Sequence, residues 1–156
     1  MERYSRQIAL AEIGVTGQQK IKGTKVLVVG VGGLGSVVAQ YLVAAGVGKV
    51  GIVDGDSVSI SNLQRQILYT EQDVGKPKVE VAANRLRAMS SAVEIVAYNT
   101  FLSDENGAEI ISDYDIVVDG ADNYAVRAVA EKAVSARQAR SDTALPRSGR
   151  RMERAG

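Results

Sequence analysis

Four glycines, Gly30, Gly32, Gly33 and Gly35, follow the apolar run Lys25-Val26-Leu27-Val28-Val29, and an acidic residue, Asp54, closes the next apolar run, Val50-Gly51-Ile52-Val53. A G-x-G-x-x-G turn between a strand and a helix is suited to binding the phosphates of a nucleotide. Gly30 permits a sharp turn, Gly32 and Gly33 let phosphate oxygens approach the backbone, and Gly35 lets the helix pack against the strand with its N-terminal N–H groups facing the anion. A carboxylate at Asp54 stands where it can accept hydrogen bonds from a ribose.

Other chemistries are excluded by composition. The 156 residues include no cysteine and no histidine, which removes disulfides, thiolate zinc sites, a cysteine nucleophile and the usual general base at neutral pH. Zinc is not expected. Carboxylates, Lys, Arg and the backbone remain. The net charge is +1, and the five arginines of residues 138–156, against Asp142 and Glu153, concentrate the basic character at one end. No basic footprint for nucleic acid crosses the fold, and no apolar run approaches the roughly 20 residues of a membrane span. A cytoplasmic location is expected, since Met1-Glu2-Arg3-Tyr4-Ser5-Arg6 lacks the apolar core of a signal peptide.

The elements that must position these residues alternate. Scattered apolar positions at Ile8, Leu10, Ile13 and Ile21 suit one or two short helices over 2–22. Strands are expected at Lys25–Val29, Lys49–Val53, Val93–Tyr98 and Asp115–Val118. Helices are expected at Gly35–Ala45, from Pro77 with Val79, Ala82, Ala83, Leu86 and Met89 on one face, and around Asp104–Ile111. A last one, capped by Asn123, would present Val126, Val129, Ala130, Ala133 and Val134. Such alternation predicts an α/β domain, a Rossmann-like, doubly wound, mainly parallel sheet over 1–137. Residues 138–156 have neither apolar period and are expected to form a disordered, Arg-rich tail.

Four further motifs fall in order around the glycine turn and Asp54: Arg3-Tyr4-Ser5-Arg6-Gln7, Asn62-Leu63-Gln64-Arg65-Gln66, Gly75-Lys76-Pro77-Lys78 and Asp119-Gly120-Ala121-Asp122-Asn123. Together they resemble the ThiF, MoeB and HesA group, bacterial relatives of ubiquitin-activating enzymes, over roughly residues 2–137. The resemblance implies ATP and magnesium as cofactors. It also implies adenylation of the C-terminal glycine carboxylate of a ubiquitin-like sulfur carrier ending in Gly-Gly, of the kind serving thiamin or molybdopterin synthesis.

Carried over residue by residue, it implies that Gly30, Gly32, Gly33 and Gly35 line the phosphates and Asp54 holds the ribose. Asn62, Arg65, Gln66 and Lys78 belong to the nucleotide site, with Asn62, Arg65 and Lys78 on the triphosphate. Asp122 would hold magnesium with Asn123 beside it. In a homodimer, Arg6 would reach the partner's site as an arginine finger, so Arg6, Arg65, Lys78 and Asp122 are the implied catalytic set. Family members continue for about another hundred residues, and the later part of the family fold is expected to be missing here.

The chemistry suits the composition. A carboxylate nucleophile is already ionised at neutral pH, with a reference pKa of roughly 3.3–3.7, so no general base is required. Two other readings stand beside this one: a binding or scaffolding module with a vestigial site, and an NAD-linked dehydrogenase, which shares the glycine turn and Asp54 but has no use for cations converging on a triphosphate.

Overall fold

Two β-branched runs, each closed by a glycine or an acid, form the middle of the sheet. In the computed structural model, which describes residues 2–121 and 126–135, β1 is Lys25–Val29 and β2 is Lys49–Val53. Both are buried at every position but the first. Such continuous burial is characteristic of parallel strands covered on both faces. β3 (Glu94–Tyr98) and β4 (Ile116–Asp119) complete a parallel sheet in the order β3-β2-β1-β4.

Six helical segments frame it: α1 (Ser5–Ile8), α2 (Gly14–Gly23), α3 (Gly35–Ala45), α4 (Lys78–Met89), α5 (Gly107–Ser112) and α6 (126–135). Side chains alternate across a strand, and the two faces of β1 have different partners. Val26 and Val28 pack with Ala39 and Val43 of α3 and with Val79, Ala82 and Leu86 of α4. Leu27 and Val29 pack with Ile111 of α5, Tyr114 and Ala130 of α6. Helices on both faces make the fold doubly wound, as the alternation of elements predicts.

Local chemistry fixes the turn between α3 and β2. Gly46 has a left-handed φ of +86°, its N–H donates to the Val43 carbonyl, and the Val47 N–H donates to the Leu42 carbonyl, which is a Schellman closure. The N-terminal helices complete that end, because the amides of Gln7 and Gln18 both donate to the Ala45 carbonyl, at 3.1 and 3.0 Å. The 2–22 segment is therefore a cap on α3.

Several expected boundaries shift. Pro77 stands just outside α4, at its N-cap, because a φ of −57° with an extended ψ of 130° leads into the helix without being part of it. β3 begins one residue later than expected, at Glu94, and β4 runs from Ile116 to Asp119. A turn occupies 104–106, so α5 starts only at Gly107. Leu10 and Val134 face solvent, which narrows the apolar face of α6 to Val126, Val129, Ala130 and Ala133. The expected Asn123 cap and the 138–156 tail lie outside the described residues.

The chain order of the strands creates the cleft. After β3 the chain passes β2 and β1 and adds β4 on the far side of β1, and the helices that follow β1 and β4, α3 and α6, lie on opposite faces. A crevice opens at the carboxyl ends of the strands at such a point, where ligands of open α/β sheets bind.

Candidate functional site

The glycine loop leaves β1 at that crevice. Gly30 carries a φ of +81°, which only glycine adopts freely, and its N–H extends the ladder to the Val53 carbonyl at 2.8 Å. Gly35 is confined by contact: a Cβ there would stand 1.8 Å from the Gly30 carbonyl oxygen. Both glycines behave as their spacing predicts. Gly32 and Gly33 line an open cleft of about 1070 Å³ with Asp54, Asn62, Arg65, Gln66 and Lys78. Residues from four separate stretches of sequence therefore meet in one place.

Asp54 has a structural task that its place in the sequence does not announce. Its Oδ2 accepts the Val31 N–H at 2.9 Å and its Oδ1 accepts the Asp56 N–H at 2.8 Å, so one buried carboxylate ties the glycine loop to the loop after β2. Each oxygen keeps a further acceptor position, so the carboxylate retains its capacity to bind a ribose hydroxyl.

Residues 60–69 lie beneath the glycine loop. The Asn62 carbonyl accepts from the N–H groups of Arg65 and Gln66, and the Gln66 carbonyl accepts from Tyr69, which curls this segment into consecutive turns. The Gln66 amide lies against Gly32 and the Arg65 stem against Gly33, so the two motifs read separately in the sequence are in contact. Gln66 is buried, and its Oε1 has no hydrogen-bond partner among the described residues. An orphaned buried acceptor on a cleft wall is a place where a polar ligand offsets a desolvation cost.

Lys78 opens α4 with its side chain only 6% exposed, and its Nζ lies 3.1 Å from Asp56 Oδ2. Its N–H also donates to the Asp56 carbonyl. The sequence leaves the role of Asp56 open; the structure makes it the counter-ion that fixes the direction of Lys78. Further along the wall are Thr100, Phe101 and Leu102, which follow β3, and Arg127, whose Nε donates to Asp119 Oδ2 at 2.7 Å. Sequence reasoning missed these residues.

Arg6 is exposed on α1 and does not line the cleft of its own chain, while Asp122 and Asn123, which follow the cleft-wall residues Gly120 and Ala121 in sequence, lie outside the described residues. No cluster of three or more His, Cys, Asp or Glu suited to a metal occurs among the described residues.

The floor is held to α4 by an ionic anchor. Asp73 Oδ2 accepts from the N–H and hydroxyl of Thr70 and from the Arg85 guanidinium. Burial pushes the Asp73 carboxyl up, but the two Thr70 hydrogen bonds and the charges of Arg85 and Lys76 outweigh it, and its pKa lies below the ordinary carboxylate value. A depressed carboxylate contributes stability above its unfolded pKa of about 3.9, and that contribution disappears as pH falls through the lower folded value. Melting temperature should therefore drop as pH falls below about 4, and Asp73→Asn should flatten the drop. An unchanged acid profile in that variant would remove Asp73 as the anchor.

Comparisons with known proteins agree with the geometry. The model of the ThiF family matches residues 4–144. A sulfur carrier protein adenylyltransferase of Thermus thermophilus is 52% identical over 127 residues, covering 81% of this chain and 47% of that protein. An adenylyltransferase and sulfurtransferase MOCS3 of Aedes aegypti is 51% identical over 125 residues, or 80% of this chain and 29% of its own length. The chain thus spans less than half the length of these curated relatives. Among solved structures, E. coli tRNA N6-threonylcarbamoyladenosine dehydratase, TcdA, in complex with ATP superimposes with a TM-score of 0.77 at 30% identity, covering 83% of this chain and 53% of that one. With a parallel doubly wound sheet, a glycine loop at its switch point and a family match across most of its length, this chain belongs to the ThiF family.

Proposed function

We propose that the chain carries the nucleotide site of an ATP-dependent adenylyltransferase that activates the C-terminal glycine carboxylate of a ubiquitin-like sulfur carrier. One observation carries the reading: buried Lys78 and the guanidinium-bearing Arg65 share a cleft with the glycine loop and Asp54. Two cations beside a phosphate loop suit a triphosphate, both relatives are named adenylyltransferases, and the Thermus thermophilus one is named for a sulfur carrier protein. A likeness to a probable molybdopterin-synthase adenylyltransferase of Porphyra purpurea, 46% identical, favours the molybdopterin kind of carrier over the thiamin kind.

In the proposed reaction a carboxylate oxygen of the carrier attacks the α-phosphorus of ATP. The new bond is carboxylate oxygen to phosphorus, the α–β bridging bond breaks, and pyrophosphate leaves with the electron pair. No proton changes hands. The chain's task is alignment and charge stabilisation. Asp54 orients the ribose, the loop N–H groups hold phosphate oxygens, and Asn62, Gln66, Arg65 and Lys78 surround the triphosphate as negative charge grows on the leaving group. Magnesium binds with few protein carboxylates plus substrate phosphates, and Asp122, with Asn123 beside it, is the carboxylate assigned to it; the metal would neutralise charge on the departing pyrophosphate. We assign Arg6 to the second subunit's site in a homodimer and place the enzyme in the cytoplasm. No helix among the described residues is long and apolar enough to cross a membrane.

Radiolabelled pyrophosphate should exchange into ATP only when magnesium and a carrier ending in Gly-Gly are both present, and a carrier lacking those two glycines should give none. Calorimetry on the same chain should show binding of ATP and not of NAD. Binding of NAD as tight as ATP would overturn the adenylation reading. ATP binding without exchange would leave a nucleotide-binding module.

A further inference from the structure

Val31 is the one residue of the glycine loop held by side chains at both of its backbone polar groups. Its N–H donates to Asp54 Oδ2, and its carbonyl accepts the Tyr69 hydroxyl at 2.7 Å. Val31 and Tyr69 are both buried, so this hydrogen bond points inward, away from the cleft. The Val31–Gly32 peptide is trans. In a trans peptide the carbonyl and the following N–H point in opposite directions, so fixing the Val31 carbonyl inward turns the Gly32 N–H outward. Gly32 lines the cleft, and its N–H has no acceptor among the described residues.

We infer that Tyr69 is a positioning residue for nucleotide phosphates: its hydroxyl, through the Val31 carbonyl, aims the Gly32 N–H into the cleft. The inference rests on the nucleotide reading above and deepens it. Tyr69 is itself secured. Its N–H donates to the Gln66 carbonyl, and the next residue, Thr70, is fastened to Asp73, which Arg85 of α4 holds in turn. The helix that begins with Lys78 therefore also sets the direction of the amide opposite it. Burial, reinforced by the nearby Asp54 charge, pushes the Tyr69 phenol well above its ordinary pKa, so it remains a donor throughout the working pH range.

Tyr69→Phe keeps the ring in the core and removes only the hydroxyl. Because the lost contact acts on phosphate alone, calorimetry should show ATP binding weakened about three- to tenfold, the range of one neutral hydrogen bond, with adenosine binding unchanged. Equal weakening of ATP and adenosine, or of neither, would mean that Tyr69 only supports the fold, and would overturn the inference. Replacing Tyr69 by 4-aminophenylalanine keeps an N–H donor at the end of the ring, and it is the arm that decides if Tyr69→Phe does not fold. ATP affinity within about twofold of the natural chain is expected there, and a selective loss of ATP binding would overturn the role. If the natural chain binds ATP normally and the variants fail these tests, Tyr69 alone is misassigned; if it binds neither ATP nor adenosine, the nucleotide reading falls first and the Tyr69 role with it.

Discussion

Lys78→Met is expected to cut carrier-dependent ATP–pyrophosphate exchange by about a hundredfold, the typical loss for one pre-organised group that stabilises transition-state charge, while leaving the fold intact. Methionine retains much of the buried stem and removes the ammonium, so the packing of Lys78 at the start of α4 is disturbed little. Its partner Asp56 is more than half exposed, and water can solvate that carboxylate once the lysine is gone. The loss should therefore appear in turnover and not in melting temperature. Lys78→Arg should not restore activity. The side chain is 6% exposed and already committed to Asp56, and a wider planar guanidinium does not reproduce the point charge of the ammonium in that place. Exchange within about threefold of the natural chain, a change of under 1 kcal/mol, would show that Lys78 is only a buried structural cation.

How Lys78 acquires its direction also shows where sequence reasoning ends. The glycine turn and Asp54 are legible because their meaning is local: a strand, a turn needing φ > 0, a helix that crowds it, and an acid at the end of the next strand. The Asp56–Lys78 pair spans 22 residues and exists only because Ser57 and Pro77 bridge their two segments side by side. No short-range pattern encodes that bridge. Tyr69 is equally silent, since one tyrosine before a threonine gives no sign that its hydroxyl meets a carbonyl 38 residues earlier.

The missed wall residues have a topological cause. Thr100, Phe101 and Leu102 reach the cleft because β3 ends on the same side of the sheet as β1 and β4. Alternating strands and helices predict parallel strands but not their order, and the order decides which loops become neighbours. Element ends moved for a smaller reason. Pro77 has a φ that a helix accepts, and only its ψ, set by the bridge to Ser57, keeps it outside α4. Arg6 differs in kind: the role proposed for it needs a second subunit, and within one chain it is exposed on α1.

The crossing of the glycine loop with α3 supports the largest expected effect on stability. Gly35→Ala would set a Cβ 1.8 Å from the Gly30 carbonyl oxygen and 2.9 Å from the Gly30 carbonyl carbon, and both obstacles are backbone atoms that cannot rotate away. The backbone of Gly120 closes in on the same crossing, where a Cβ on Gly120 would meet the Gly30 carbonyl oxygen at 3.2 Å and the Gly35 Cα at 2.9 Å, so the loop has little space in which to yield. Relief requires α3 to back off from the sheet, which opens the core that Ala39 and Val43 share with Val26 and Val28. A loss of about 3 kcal/mol or more is expected, at or beyond the top of the overpacking range. Gly75→Ala provides the contrast. Gly75 has a φ of +87° but nothing within 4 Å of an added Cβ, so only the left-handed backbone penalty of about 1–2 kcal/mol applies. Urea denaturation of the two variants compares close approach with backbone strain directly. If Gly35→Ala is no less stable than Gly75→Ala, α3 has room to spare, and the loop amides are not held in place by the helix behind them.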